Sequence, residues 1–126
     1  MATKLEIEQE IEQEIKDKGL NAPRLTPDDI ETSIASEFFF TARQGVNGNG
    51  TGEEVSSADH KTLSLLTFCV LVLKNGFTVT GESACVSPEN FDDKIGKKVA
   101  RDNARNKIWS LEGYLLKQKL FDFECK

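Results

Sequence analysis

Lys97, Arg101 and Arg105 recur at steps of four, so a helix through them carries all three on one face. Lys94 and Lys98 form an adjacent row with Arg101. Two arginines one turn apart can clamp a pyrophosphate through forked hydrogen bonds. Six cations stand between Asp93 and Lys107 against two acids, in a chain whose net charge is −5. The plainer reading is a solvated face paired with an acidic N-terminal helix. On charge pattern alone that reading leads.

The second candidate is the segment Ser87-Pro88-Glu89-Asn90. Ser87 as cap, Pro88 at the first helical position and Glu89 near the positive end spell a helix start. Free N–H groups and the dipole favour a phosphate there. The Asn90 amide could read a base edge, and Phe91 or Phe77 could stack on adenine. Against this, Asn90 can cap backbone, and core is the better expectation for both phenylalanines. Arg24 and Arg43 are isolated cations, exposed by default, that could reach a ligand across a subunit boundary. Trp109 and Tyr114 lie at helical spacing with Leu111 and Leu115, as core or dimer contacts do.

Reactive constellations are missing. Glu82, Glu89, Asp92 and Asp93 cluster, but no nucleophile, base and oxyanion set stands beside them. His60 is the single histidine and has no companion ligands. No phosphate loop, zinc spacing or dinucleotide glycine pattern occurs. A binding protein with no cofactor and no metal is therefore expected in preference to an enzyme. Cys69, Cys85 and Cys125 are odd in number, which fits free thiols in a reducing cytosol, with Cys69 in the core.

The elements that must position these residues follow from periodicity. The 126 residues fit one domain. Residues 1–18 read as an acidic amphipathic helix, with Ile7, Ile11 and Ile15 as a narrow stripe too thin to hold it alone. Residues 19–126 read as one α+β domain. Thr26-Pro27-Asp28-Asp29 starts a short helix that buries Ile30 and Ile34. A strand follows from Glu37 to Arg43, then a flexible Gly-rich loop over 45–59. Thr62 to Leu73 is a strand, Asn75-Gly76 a tight turn, and Phe77 to Thr80 its antiparallel partner. A long helix runs from Ser87 to about Lys119, with a kink possible between Trp109 and Gly113.

The expected fold is thus a small antiparallel sheet of about three strands packed by a long C-terminal helix, with short N-terminal helices. The strand from Thr62 is apolar on both faces: Leu63, Leu65, Cys69, Leu71 and Leu73 on one, Leu66, Phe68, Val70 and Val72 on the other. One helix covers one face. A second copy of the chain is the natural cover for the other, so a dimer or higher assembly is expected. The apolar run from Leu65 to Leu73 is too short to cross a bilayer, and no signal peptide opens the chain. A cytosolic protein that binds neither membrane nor DNA is expected, since the acidic pI of 4.9 repels polyanions.

The run from Leu73 to Asp92, with Asn75-Gly76-Phe77-Thr78-Val79-Thr80-Gly81 and Ser87-Pro88-Glu89-Asn90-Phe91 within it, resembles a family of small tailed-phage accessory proteins. The likeness continues through Ile95-Gly96, Ala100-Arg101, Asn103-Ala104 and Asn106 to Leu116. In layout the chain is most similar to the anti-Thoeris sponge proteins. That resemblance implies sequestration, without cleavage, of cyclic ADP-ribose isomers made by TIR-domain enzymes. It also implies possible cyclic oligonucleotide binding and a homodimer or a trimer of dimers. Taken with the residue types, it gives Phe77, Asn90, Phe91, Lys97, Arg101, Arg105 and Arg24 as the expected ligand set. The site is expected between two subunits, with the helix start and cations of one chain facing the loop or strand end of the other.

Three other readings compete, one of them a nucleotide-degrading enzyme, which predicts a ligand that cannot be recovered intact. A nucleic-acid-binding protein using the Lys97, Arg101, Arg105 face predicts steep loss of binding with salt. A direct protein inhibitor of a host defence enzyme predicts a stable complex and no bound nucleotide.

Overall fold

The computed structural model describes residues 4–48 and 55–124. Along the chain come α1 (Lys4–Asp17), α2 (Pro27–Thr32), β1 (Ile34–Thr41), α3 (Ala42–Gly48) and α4 (Ser57–Leu63). Then follow β2 (Leu66–Leu73), β3 (Thr78–Ala84), a 3-10 turn (Pro88–Asn90) and α5 (Asp93–Glu124). The strands form one antiparallel sheet in the order β1-β2-β3.

The hairpin between β2 and β3 is built as its sequence predicts. Gly76 takes a positive φ of 88°, a conformation glycine adopts without penalty. The Asn75 side chain accepts the Phe77 N–H at 2.9 Å, and the Leu73 N–H donates to the Phe77 carbonyl at 2.8 Å. Register then follows: Leu71 faces Val79 and Cys69 faces Gly81. A slip between Ile34 and Ser36 in β1 restores Ile34 to the inner face beside Leu73.

The inner face and α5 make the core. Thr67, Cys69, Leu71 and Leu73 are buried, every second residue of β2. Against them α5 presents Gly96, Ala100, Ala104 and Ile108. Small residues at steps of four let the helix lie close on the sheet. Ile30 from α2 completes the cluster, and Leu25, Ile34, Phe39, Trp109 and Leu111 pack on its margin. Burying Leu71 or Ile108 fully contributes about 2–3 kcal/mol each. Among the described residues the Thr67 hydroxyl has no hydrogen-bond partner. A Cβ at Gly96 would lie 3.1 Å from it, tighter than an ordinary contact, so glycine lets the helix lie close over the hydroxyl.

The outer face differs. Leu66, Phe68, Val70 and Val72 are half-buried, and Phe38 and Phe40 are exposed. Phe40 stacks on Phe68 with ring centroids 5.4 Å apart, and Gly45 of α3 lies against the Phe40 ring. Part of the cover expected from a second copy thus comes from the chain itself.

Several boundaries differ from the sequence expectation. The first strand spans 34–41, three residues earlier than its expected start, because the slip at Ala35 continues the pairing. Thr62 and Leu63 end α4, and β2 begins at Leu66. Leu63 and Leu65 are therefore not part of its inner face. The expected loop over 45–59 carries α3 and α4 at its ends, while residues 49–54 lie outside the described residues, as does Cys125. Each of the two helices has a polar start. Thr41 and Gln44 exchange reciprocal side-chain bonds at 3.2 and 2.9 Å, and Ser56 accepts the Asp59 N–H at 3.1 Å.

The long helix begins at Asp93, not Ser87. The Ser87 side chain caps nothing, and Pro88–Asn90 forms its own short turn. Asp92 accepts the N–H groups of Lys94 and Ile95 at 2.9 and 3.1 Å and starts the helix. α5 then runs without a break to Glu124. A Cβ at Gly113 would stand at ordinary contact distance, 3.9 Å, from Leu25 Cδ1.

Candidate functional site

Arg101 and Arg105 line a groove of about 290 Å³ between α1, α2 and α5. Lys98 lies at its edge, Leu5 and Pro27 form an apolar wall, and Glu8, Asp28, Glu31 and Asp102 bring acids. The two arginines are one helical turn apart because α5 holds them, and α5 is fixed on the sheet by its small-residue seam.

Both arginines are engaged. Arg101 Nη1 and Nη2 donate to the Glu31 carboxylate at 3.1 and 2.9 Å, and its Nε donates to Glu37 at 2.6 Å. Arg105 donates to both oxygens of Glu8 at 2.8 and 3.1 Å, and through Nε to Glu31 at 3.2 Å. Arg105 is buried, with 7% of its side chain exposed, whereas Arg101 keeps 30%. Three carboxylates from three separate elements thus surround two guanidinium groups. The hydrogen bond from Arg101 is the main cause holding the Glu31 carboxyl below its ordinary value, against burial, which pushes it up. The bonds to Glu31 and Glu8 raise Arg101 and Arg105 respectively, so both stay charged.

The remaining expected ligands lie elsewhere. Arg24 forms a forked pair with Glu12 of α1 at 2.7 and 2.9 Å. Lys97 is exposed and pairs with Asp93 one turn back, at 3.1 Å. Asn90 is exposed and closes the 3-10 turn, its N–H donating to the Ser87 carbonyl. Phe91 is half-buried and leans on Gly96 beside Thr67, near the start of β2. Phe77 lies in another cleft of about 290 Å³, with Tyr114 and Leu115, near Leu73 at the end of β2. The six-residue span from Thr67 to Leu73 sets the two phenylalanines about 20 Å apart. One protomer therefore cannot sandwich a single adenine between them. The start of α5 is also filled, because the Asp92 carboxylate sits where a phosphate was expected.

Sequence reasoning found the arginine face and its pairing with the acidic N-terminal helix, which Glu8 makes with Arg105, and missed Glu31 and Glu37. Glu8, Glu31 and Glu37 lie 97, 70 and 64 residues from their arginine partners. No local spacing marks such pairs. Among the described residues no cluster of His, Cys, Asp and Glu is placed to hold a metal ion. No helix among them is long and apolar enough to cross a membrane. Burial raises the Cys69 thiol, which keeps it protonated in the core.

The chain matches a phage protein family, described as N4 Gp49/phage Sf6 gene 66, over residues 25–120. That span holds the whole sheet, Glu31, Glu37, Arg101 and Arg105, and leaves out α1. No curated protein and no solved structure matches. With the match covering most of the chain, from α2 through nearly all of α5, the protein belongs to the phage protein family of N4 Gp49 and phage Sf6 gene 66.

Proposed function

We propose that this phage protein binds a cyclic ADP-ribose isomer, the signal of a bacterial TIR-domain defence enzyme, and holds it without cleaving it in the host cytosol. The observation that carries the reading is the Arg101–Arg105 pair, one turn apart along an open groove with Lys98 at its edge. Forked donors at that spacing suit a pyrophosphate, and Arg101, with 30% of its side chain exposed, is the more accessible of the two, its acids giving way to the ligand. Membership of a phage family and the likeness in layout to anti-Thoeris sponges support it.

The groove of one chain is small for a dinucleotide-sized ligand, which commonly takes about 300–1,000 Å³. A second copy completing the site is part of the proposal. It would bring Asn90, Phe77 or Phe91 to the ligand from the partner.

Calorimetric titration with a cyclic ADP-ribose isomer, followed by heat denaturation and mass spectrometry of what is released, tests this. Tight binding with intact release supports the reading, and Arg101→Ala then weakens affinity by about tenfold or more. Consumption of the ligand means an enzyme. No binding of this isomer or of cyclic oligonucleotides rejects the immune-signal reading. A direct inhibitor of a host protein is the second reading. It is favoured by the exposed apolar cluster of Phe77, Tyr114 and Leu115, and it predicts a stable protein complex.

A further inference from the structure

The three carboxylates on the groove arginines are not held alike. Glu31 rides on α2, which Ile30 anchors with no exposed surface and a reciprocal Thr26–Asp29 cap fixes at its start. Glu37 rides on β1, paired along the sheet. Glu8 rides on α1, in which no described side chain is buried and Leu5, Ile7 and Ile11 are 59%, 46% and 50% exposed. What ties α1 down is charge: Glu8 forked on Arg105, and Glu12 forked on Arg24. The helix turns Glu8 and Glu12 to the body and leaves two of its isoleucines half in water. A 14-residue helix with so little apolar burial has small intrinsic stability.

A carboxylate gripping both Nη atoms of an arginine makes the contact a phosphate would make. We propose that α1 is a releasable acidic strap: Glu8 holds Arg105 in place of an anion and lifts away when an anion takes that edge. Glu8 is the carboxylate that can leave, since α2 and β1 are built into the core. The family match begins at Leu25, so the strap lies outside the matched span while the arginines it covers lie within it. The inference rests on the groove being an anion site, and it adds that the free protein keeps the site closed. The competition lowers affinity for small anions such as inorganic phosphate. A larger ligand, with further contacts, overcomes it.

Amide hydrogen exchange on the full chain tests the strap, in wild type, Glu12→Gln and Glu8→Gln, with and without inorganic pyrophosphate. Glu12→Gln leaves the groove arginines untouched. It is expected to speed exchange across α1 by about fivefold, with β2 and the segment Ala100–Ile108 unchanged. Pyrophosphate is expected to speed α1 exchange in the wild type. Glu8→Gln is expected to tighten pyrophosphate binding by about fivefold. Unchanged α1 exchange in Glu12→Gln overturns the strap and leaves the binding proposal standing. So does pyrophosphate that binds wild type and Glu8→Gln equally. A loosened α1 with no pyrophosphate or cyclic nucleotide bound by any of the three proteins overturns the binding proposal, and the gating with it.

Discussion

Gly81 of β3 meets the backbone of Ala104 on α5 with no room for a side chain. A Cβ at position 81 would run into the Ala104 nitrogen and the Ala100 carbonyl oxygen, and would lie 2.9 Å from Ala104 Cα. These are backbone atoms, so the neighbour cannot rotate away. Gly81→Ala is therefore expected to destabilise the domain by about 2–3 kcal/mol, read as a lower urea midpoint with unchanged slope. A variant as stable as wild type would show that α5 does not sit this close to the sheet.

Arg105 and Arg101 share partners but not burial. Removing Arg105 strips Glu8 of its forked donor inside a nearly dry contact. Arg105→Ala should cost about 2–3 kcal/mol, and Arg101→Ala about 1 kcal/mol, because water reaches Arg101 and its acids. Equal losses in thermal or urea unfolding would refute the distinction.

Acid should weaken the same network. The folded Glu31 carboxyl lies below 4.5, so the unfolded chain takes up that proton first as pH falls. The Glu31 contribution is whole above the unfolded value and fades as pH drops through the lower folded one. Glu31 is 44% exposed, and solvent screening holds the effect under about 1 kcal/mol. The stability gap between wild type and Glu31→Gln should shrink from about pH 5 to pH 3. A gap that widens toward acid would contradict the ion pairing.

The cap of α5 gives a direct contrast. Asp92→Ala removes two backbone hydrogen bonds and should cost about 1 kcal/mol. Ser87→Ala removes no cap bond and should change stability by less than about 0.5 kcal/mol. The reverse order would return the helix start to Ser87.

Much of the fold was legible because its signals are local. The Asn75-Gly76 turn and the alternation along β2 each fix an element from within, whereas the small-residue seam of Gly96, Ala100 and Ala104 carries no apolar signal of its own and shows only once the helix lies on the sheet. The helices α3 and α4 also had signals, Thr41-x-x-Gln44 and Ser56-x-x-Asp59, but the glycine-rich composition between them outweighed these in the reading. The start of α5 was misplaced because Ser87-Pro88 and Asp92 both spell a cap, and only Asp92 reaches free N–H groups. The candidate site was legible by half. A helix face shows its cations in the sequence, and the run of acids in α1 marks that helix as a partner, whereas Glu31 and Glu37 meet the arginines only through the tertiary fold.

The length of α5 has a mechanical consequence. Its buried residues end at Ile108, and Leu111 packs on the core margin. Beyond that, residues 114–124 extend the rod by about 16 Å. A helix is stiff over such a distance, so it acts as a pointer whose pivot is the glycine–alanine seam. A tilt of about 10° at the pivot moves the tip, about 30 Å from Ala104, by about 5 Å, and Phe121 and Phe123 ride near that tip, exposed. A small rearrangement around Arg101 and Arg105 would thus be read at the far end of the molecule as a displacement of aromatic side chains.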